Sequence, residues 1–288
     1  MSRTLTANMQ THLSGRAHKR CRMLRLDLAD GTAIAFTDHD RAIAFDLGDG
    51  SLSYSPASGM FGSDVALREG FDVDNFESTG PLGELVTRVA VMGGRFNRAR
   101  ARLFEINWSA LADGAIKQID GNIGEARIEG GKFIFGVRSQ MDRYNQVIGR
   151  VLSNLCSADH GDAQCQRTVE TALGTVSAVT DDMRFTITFA GAFANDYFNS
   201  GKAIFTGGAL AGIKPVHVFD WTSGGFVTLI EPLPDEPEIG DTVTLYRGCG
   251  KKRTDCMARS NIENARAFFE VPGTDQALKV PVPGSSGA

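Results

Sequence analysis

The stretch MLRLDLADGTAIAF, residues 23–36, decides the fold. Leu24, Leu26 and Leu28 alternate with Arg25 and Asp27, Asp30-Gly31 forms a hairpin signal, and Thr32 to Phe36 returns as a second apolar run. Period two is the mark of a strand with one face buried, and Asp-Gly supplies the positive φ that a tight hairpin needs. Asp49-Gly50 offers a second turn of this kind. Further strand-like segments are Glu84 to Val91, Ala101 to Asn107 and Lys132 to Arg138. They are punctuated by Gly93-Gly94, Asp113-Gly114, Asp120-Gly121 and Gly130-Gly131. This spacing predicts a mainly β chain of tandem antiparallel barrel or sandwich domains with short helices.

Two helices are expected. Leu5, Met9 and Leu13 recur every four residues over 3–15, with Gly15 as a stop. Over 139–155, Met141, Tyr144, Ile148, Leu152 and Leu155 stand at steps of three and four and predict a helix leading into Cys156. That helix marks the boundary between an N-terminal β domain, 1–155, and a C-terminal β domain, 156–280. Gly174 to Thr180, Met183 to Phe189, Ala203 to Phe205, Pro215 to Phe219, Phe226 to Ile230 and Thr242 to Tyr246 supply the second domain's strands. Glu231-Pro-Leu-Pro-Asp-Glu-Pro-Glu238 is a stiff acidic loop, because proline cannot donate to a ladder. The tail 281–288 reads as disordered. Leu-Ala-Asp-Gly occurs at 28–31 and 111–114, which reads more safely as coincidence than as a duplicated barrel.

Composition narrows the function. The chain has 288 residues, 33 glycines and 9 prolines, which suits many tight turns rather than a disordered linker. Its net charge of −4 gives no global field toward nucleic acid or an anionic membrane. No run of apolar residues is long enough for a signal peptide or a membrane span, so a protein made in the cytoplasm is expected. No G-x-S-x-G, Walker A, G-x-G-x-x-G or H-E-x-x-H pattern supports an enzyme.

The chemistry lies in the cysteines. Cys156 and Cys165 form one pair, Cys249 and Cys256 another, one on each side of the second β domain. Four converging thiolates are the ligand set of a [4Fe-4S] cluster or of a tetrahedral zinc site. Zinc knuckles favour tighter pairs, so the gaps lean toward a cluster; a solvated basic loop beside unliganded cysteines is the other reading. Arg247, Lys251, Lys252, Arg253 and Arg259 would offset the thiolates' negative charge. Cys21 is left over and reads as a buried spare thiol. His160 and His217 could be ligands, although four cysteines complete a tetrahedral set. Thr37-Asp-His-Asp40 reads as a polar strand-end turn before a metal or acid-base site, and Arg95, Arg98, Arg100 and Arg102 as ion-paired before phosphate-binding.

Several of these segments resemble one family, the hub proteins of alphaproteobacterial gene transfer agents and related siphophage tail proteins. In the first half the resemblance rests on Ala35-Phe-Thr-Asp-His-Asp40, Tyr54 to Gly59, Phe71-Asp-Val-Asp-Asn75, Arg100 to Trp108, Gly121-Asn-Ile-Gly124 and Phe133 to Arg138. In the second it rests on Leu155 to Cys165, Gly248 to Cys256, and the segment to Gly273 with Asn261, Asn264, Phe268, Phe269 and Pro272-Gly273. Glu270 departs from the pattern, which has glycine or proline there. The paired cysteines follow the order of the iron-sulfur tail-tip protein L of lambda-like phages, and by that similarity Cys156, Cys165, Cys249 and Cys256 are the expected cluster ligands.

The resemblance implies a structural hub in a tail baseplate: a homotrimeric ring around the DNA channel, below a distal tail protein ring and above fibre, megatron or tail-spike proteins, with a tail peptidase as a further partner. DNA would pass without sequence-specific binding, and the protein would be assembled into a virion-like particle released on lysis. The alternatives are a tail-tip enzyme, either a cell-wall hydrolase using Asp38 with Asp40 or a redox iron-sulfur protein, and the same hub with zinc.

Overall fold

The computed structural model describes residues 5–56, 61–62, 75–146 and 148–271. The expected disordered tail, Pro272-Gly273 and parts of the motifs at 54–59 and 71–75 lie outside the described residues. Contacts within the chain divide it into two units, Met1–Val147 with Ala209–Lys214, and Ile148–Gly208 with Pro215–Ala288.

The first unit begins with helix α1 (Ala7–Ser14), whose N-cap Thr6 accepts the Met9 amide at 3.2 Å and whose Met9 is buried. Its strands are β1 (Arg20–Asp27), β2 (Ala33–Thr37), β3 (Ile43–Asp46), β4 (Ser51–Tyr54), β5 (Phe61–Gly62) and β6 (Asn75–Pro81), followed by helix α2 (Arg88–Met92) and strands β7 (Arg100–Asn107), β8 (Ala115–Glu129) and β9 (Lys132–Ser139). Seven of them form one sheet, in the order β2-β1-β7-β8-β9-β6-β5, with β3 and β4 a separate hairpin. The β1–β2 hairpin closes at Gly31, whose φ of +83° would strain any residue with a side chain. Leu24 pairs with Phe36 and Leu103, and Leu26 with Ile34 and Ala101.

These residues lie in the core on one face of the sheet, with Phe96, Phe133 and Phe135 and with Ala90 and Val91 of α2. Each large side chain fully buried there contributes about 1.5–3 kcal/mol of hydrophobic stabilisation. The opposite face buries Cys21, Met23, Tyr54 and Phe104 under Phe45 and Leu52 of the β3–β4 hairpin. Burial pushes the Cys21 thiol up to about 11, with a hydrogen bond from Thr37 opposing it, so this cysteine stays protonated and inert at neutral pH.

Three local expectations are corrected. The segment Glu84 to Val91 is not a strand; Thr87 accepts the Ala90 amide at 3.1 Å and starts α2, a capping bond that alternation of apolar residues does not reveal. Asp120-Gly121 is not a turn but lies inside the fifteen-residue strand β8. Gly121 stands there because a Cβ would come within 1.9 Å of the Arg138 carbonyl oxygen, so the neighbouring strand itself excludes a side chain. Among the described residues of 139–155 the expected helix is absent: Gln140–Arg143 makes a 3-10 turn, and Tyr144, Ile148 and Leu152 are exposed. Without a surface to pack on, a three-to-four periodicity has nothing to hold the helix together.

Three of the four arginines in the stripe, Arg95, Arg100 and Arg102, are ion-paired. Arg95 meets Asp30 at 3.0 Å, Arg100 meets Asp120 at 2.9 Å, and Arg102 meets Asp27 at 2.7 Å and also Asp49. Asp120 also takes Lys117 at 2.6 Å. Burial of the Asp120 carboxylate works to raise its pKa, but the hydrogen bonds from Arg100 and Lys117 outweigh it and hold it at about 2. A depressed carboxylate stabilises the fold above its unfolded pKa of about 4 and loses that contribution as the pH falls toward 2. Because Arg100 and Lys117 are half exposed, solvent screening leaves about 1 kcal/mol. We expect Asp120→Asn to lower stability by this amount at pH 7 and by much less near pH 2, measured by denaturant unfolding.

The second unit is a closed barrel of β10 (Thr171–Val179), β11 (Arg184–Phe189), β12 (Lys202–Phe205), β13 (Val216–Trp221), β14 (Phe226–Leu229) and β15 (Thr242–Tyr246). The strands run in the order β10-β11-β14-β13-β12-β15. Closure leaves no free edge for a foreign strand. Phe185, Phe205, Val218, Val227, Val243 and Leu245 fill its interior. Around the β15 C-terminal end, Phe198 packs edge-on against Trp221 at 5.1 Å, and Trp221 donates to the Ala194 carbonyl at 3.1 Å. The short helix α3 (Arg253–Ala258) follows β15.

Candidate metal centre

The four paired cysteines all lie in the second unit and none is in a disulfide. The Cys156–Cys165 segment folds back on itself through Asp162. One oxygen of Asp162 accepts the amides of Gln164 at 3.0 Å and Cys165 at 2.6 Å, while the other accepts the Asp159 amide at 2.9 Å. Such side-chain bonds favour a turn over any regular element. In the second pair, Cys249 leaves β15 and Cys256 sits on α3, where Asp255 accepts the Lys252 amide at 3.2 Å.

Backbone bonds then sew the two pairs together. The Cys156 amide donates to the Lys251 carbonyl at 2.9 Å, and the Ser157 amide to the Arg266 carbonyl at 3.1 Å. The Asn261 side chain donates to the Cys165 carbonyl at 2.8 Å, and its own amide donates to the Cys256 carbonyl at 2.9 Å. Three sulfurs accept N–H groups: Cys156 from Arg266 at 3.3 Å, Cys249 from Lys251 at 3.4 Å and Cys165 from the Asn261 side chain at 3.6 Å. N–H donors aimed at cysteine sulfur tune an iron-sulfur centre where one is bound.

Cys156 and Cys256 are buried, Cys165 and Cys249 partly so. The Cys256 thiol is pushed up first by burial and then by the negative charges of Cys249, Cys156 and Cys165. Four cysteine sulfurs gathered in a partly shielded place are a donor set of the kind a soft cation takes. As the side chains stand, no group of three or more His, Cys, Asp or Glu among the described residues is arranged to hold a metal ion. Four cysteine sulfurs on neighbouring segments are nonetheless the donor chemistry that iron-sulfur and zinc centres use.

Neither histidine joins this set. His160 has both ring nitrogens engaged, Nδ1 with the Arg247 carbonyl at 2.9 Å and Nε2 with Arg259 at 3.0 Å. His217 is exposed on β13. The basic residues are largely paired: Lys251 meets Asp159 at 3.3 Å, Arg247 meets Glu170 at 3.6 Å and stacks on Tyr197, and Arg253 meets Glu270, the residue that departs from the family pattern. Spacing alone did not disclose Asp162 or the Arg266 amide, and the sequence marked Arg259 only as a counter-charge. An aspartate three residues before a cysteine was the one available signal for the first.

Thr37 to Asp40 is a turn. Asp38 accepts the Arg22 amide at 2.7 Å, Thr37 accepts the His39 amide at 3.1 Å, and His39 packs on Trp108 while contacting the exposed Asp40 at 2.9 Å. Asp38 is spent on backbone, so the two carboxylates do not form an acid-base pair across a groove.

Residues 6–168 match the family model for the baseplate hub protein, N-terminal attachment domain. The chain belongs to the baseplate hub family. That match takes in Cys156 and Cys165, while residues 196–275, with Cys249 and Cys256, match the model for the phage conserved hypothetical protein BR0599. The hub chain is also similar to a chain in the solved virion of a native gene transfer agent particle, at 26% identity and a TM-score of 0.81, covering 98% of both chains. No curated protein matches it. Among the described residues no helix of the hub chain is long and apolar enough to cross a membrane.

Proposed function

We propose that this chain is a structural hub of the baseplate of a phage-like particle, without enzymatic activity of its own. The observation that carries this reading is the match over 98% of both chains to a component of a gene transfer agent virion. Three copies form a ring around the tail channel, between a distal tail protein ring and fibre, megatron or tail-spike proteins, with a tail peptidase nearby and DNA passing without sequence readout. The chain is made in the bacterial cytoplasm and joins the particle on assembly. The attachment domain, 1–155, faces the tail, and 156–280 carries the metal centre.

In that centre Cys156, Cys165, Cys249 and Cys256 hold a [4Fe-4S] cluster. The N–H groups aimed at three of the sulfurs support iron-sulfur ligation, and zinc is the competing occupant. Bound, the centre supplies a crosslink rather than a reaction. The chain's own residues hold the four sulfurs in place through Asp162, Asn261 and the Arg266 amide, and keep water from Cys156 and Cys256.

Full-length protein purified without oxygen should be brown, absorb at about 400 nm and carry iron. A colourless protein with stoichiometric zinc would replace the cluster by zinc, and one with neither metal would remove the centre. A density map of assembled particles should show the chain as a three-fold ring at the tube's distal end; its absence from the baseplate would refute the hub assignment.

A further inference from the structure

Between the two cysteine pairs lies a polar bridge that neither pair contains. His160, in the turn between Cys156 and Cys165, presents Nδ1 to the Arg247 carbonyl at 2.9 Å and Nε2 to Arg259 Nη1 at 3.0 Å. Arg259, three residues beyond Cys256, donates its other terminal nitrogen to the Gly248 carbonyl at 2.7 Å, immediately before Cys249. A carbonyl only accepts and a guanidinium only donates, so the bridge closes for one state of the imidazole: neutral, with the proton on Nδ1. The other tautomer places two donors face to face at Nε2, and so does the imidazolium.

We propose that His160 and Arg259 are positioning residues for the four-thiolate centre, clamping the Cys156–Cys165 turn onto both ends of the Cys249–Cys256 segment, and that the clamp opens on protonation of His160. This rests on the centre being occupied as described above.

The surroundings agree. Burial, as the largest influence, lowers the His160 pKa; the Arg247 carbonyl and Glu170 act to raise it, and the charges of Arg259 and Arg247 to lower it, with a net shift downward. The clamp therefore stays closed at neutral pH and opens only in acid. Gly161, the next residue, has φ +88° and lies so close to Val169 that a Cβ would come within 2.2 Å of its side chain, which fixes the direction in which His160 leaves the turn.

The test compares metal release to a chelator from full-length wild type, Arg259→Met and His160→Asn, followed by loss of metal-thiolate absorbance between pH 8 and pH 5. Acid speeds release from any thiolate site, so the variant-to-wild-type ratio is the quantity to read. For Arg259→Met the ratio should be about tenfold at pH 8 and fall toward one as acid protonates His160, since wild type then loses the clamp itself. His160→Asn keeps the donor to Arg247 and lacks the titrating ring; its release should follow a shallower pH dependence than wild type. A ratio that stays constant with pH would overturn the proposal and leave Arg259 a packing role. Nitrogen NMR of His160 in the full-length protein loaded with diamagnetic zinc should show the Nδ1–H tautomer; the Nε2–H tautomer there would also overturn it. Failure of the centre itself reads out separately, as wild type without iron or zinc.

Discussion

Cys256→Ser is expected to yield protein that carries no stoichiometric metal, partitions into the insoluble fraction and fails to enter particles. Cys256 is buried in α3 with the other three thiols around it, and serine offers a hard hydroxyl in place of a soft thiolate. Metal affinity at a site absent from the unfolded chain is folding free energy, and structural thiolate sites of this kind supply on the order of 10 kcal/mol. The proposed centre would join segments roughly ninety residues apart, and crosslinking a loop of that length constrains the unfolded chain by about 4–5 kcal/mol. Losing even the smaller figure exceeds what a domain of ordinary stability tolerates easily. Soluble Cys256→Ser protein that assembles into normal baseplates would show that the crosslink is dispensable. Cys21→Ser is the matched control. It removes a buried thiol that pairs with nothing in the centre, and it should leave the metal content unchanged while costing about 1 kcal/mol of stability.

Gly248→Ala should be nearly as damaging, although glycine carries no chemistry. A Cβ at this position would lie 2.1 Å from the Asn199 carbonyl oxygen, 2.2 Å from the Ser200 carbonyl carbon and 2.3 Å from the Gly201 amide nitrogen. All three are backbone atoms and cannot swing aside as a flexible side-chain end would. The clash is symmetrical, because a Cβ on Gly201 would meet the Tyr246 carbonyl oxygen at 2.1 Å. Here the chain leaves β15 and enters the second cysteine pair, so separating the two backbones moves Cys249 and breaks the Arg259 bond to the Gly248 carbonyl. We expect a loss of about 3–5 kcal/mol in unfolding experiments together with reduced metal retention. Gly250→Ala tests whether the cause is backbone crowding. Its Cβ meets chiefly the end of the Asp255 side chain, at 2.6 Å, and its cost should be about 1 kcal/mol.

Much of the strand content was legible because alternation is a local property. Leu24 and Leu26 fall on the buried face as their spacing requires, and the segments at 171–179, 184–189 and 242–246 lie close to their expected bounds. The misreadings have separate causes, none of them visible as periodicity. Thr87 starts a helix where apolar residues suggested a strand, Gly121 is excluded from bearing a side chain by a strand seventeen residues away, and Leu152 repeats with helical spacing on a segment that buries nothing. The first turns on a local capping bond, the second on a neighbouring strand, and the third on the lack of a surface to pack against.

By itself the sequence determined the β architecture, through period-two burial and Asp-Gly turns, and it singled out four paired cysteines whose soft sulfurs suit few occupants. The family resemblance added the hub. Only the tertiary structure decided that both cysteine pairs meet, because the barrel's closure returns β15 beside β10 and so carries Cys249 back toward Cys165. It also decided that Asp162, Asn261, His160 and Arg259 serve that meeting. Hydrogen-bond partners roughly a hundred residues apart leave no periodic trace in a chain, and the free energy that selects them exists only once the backbone has brought them together.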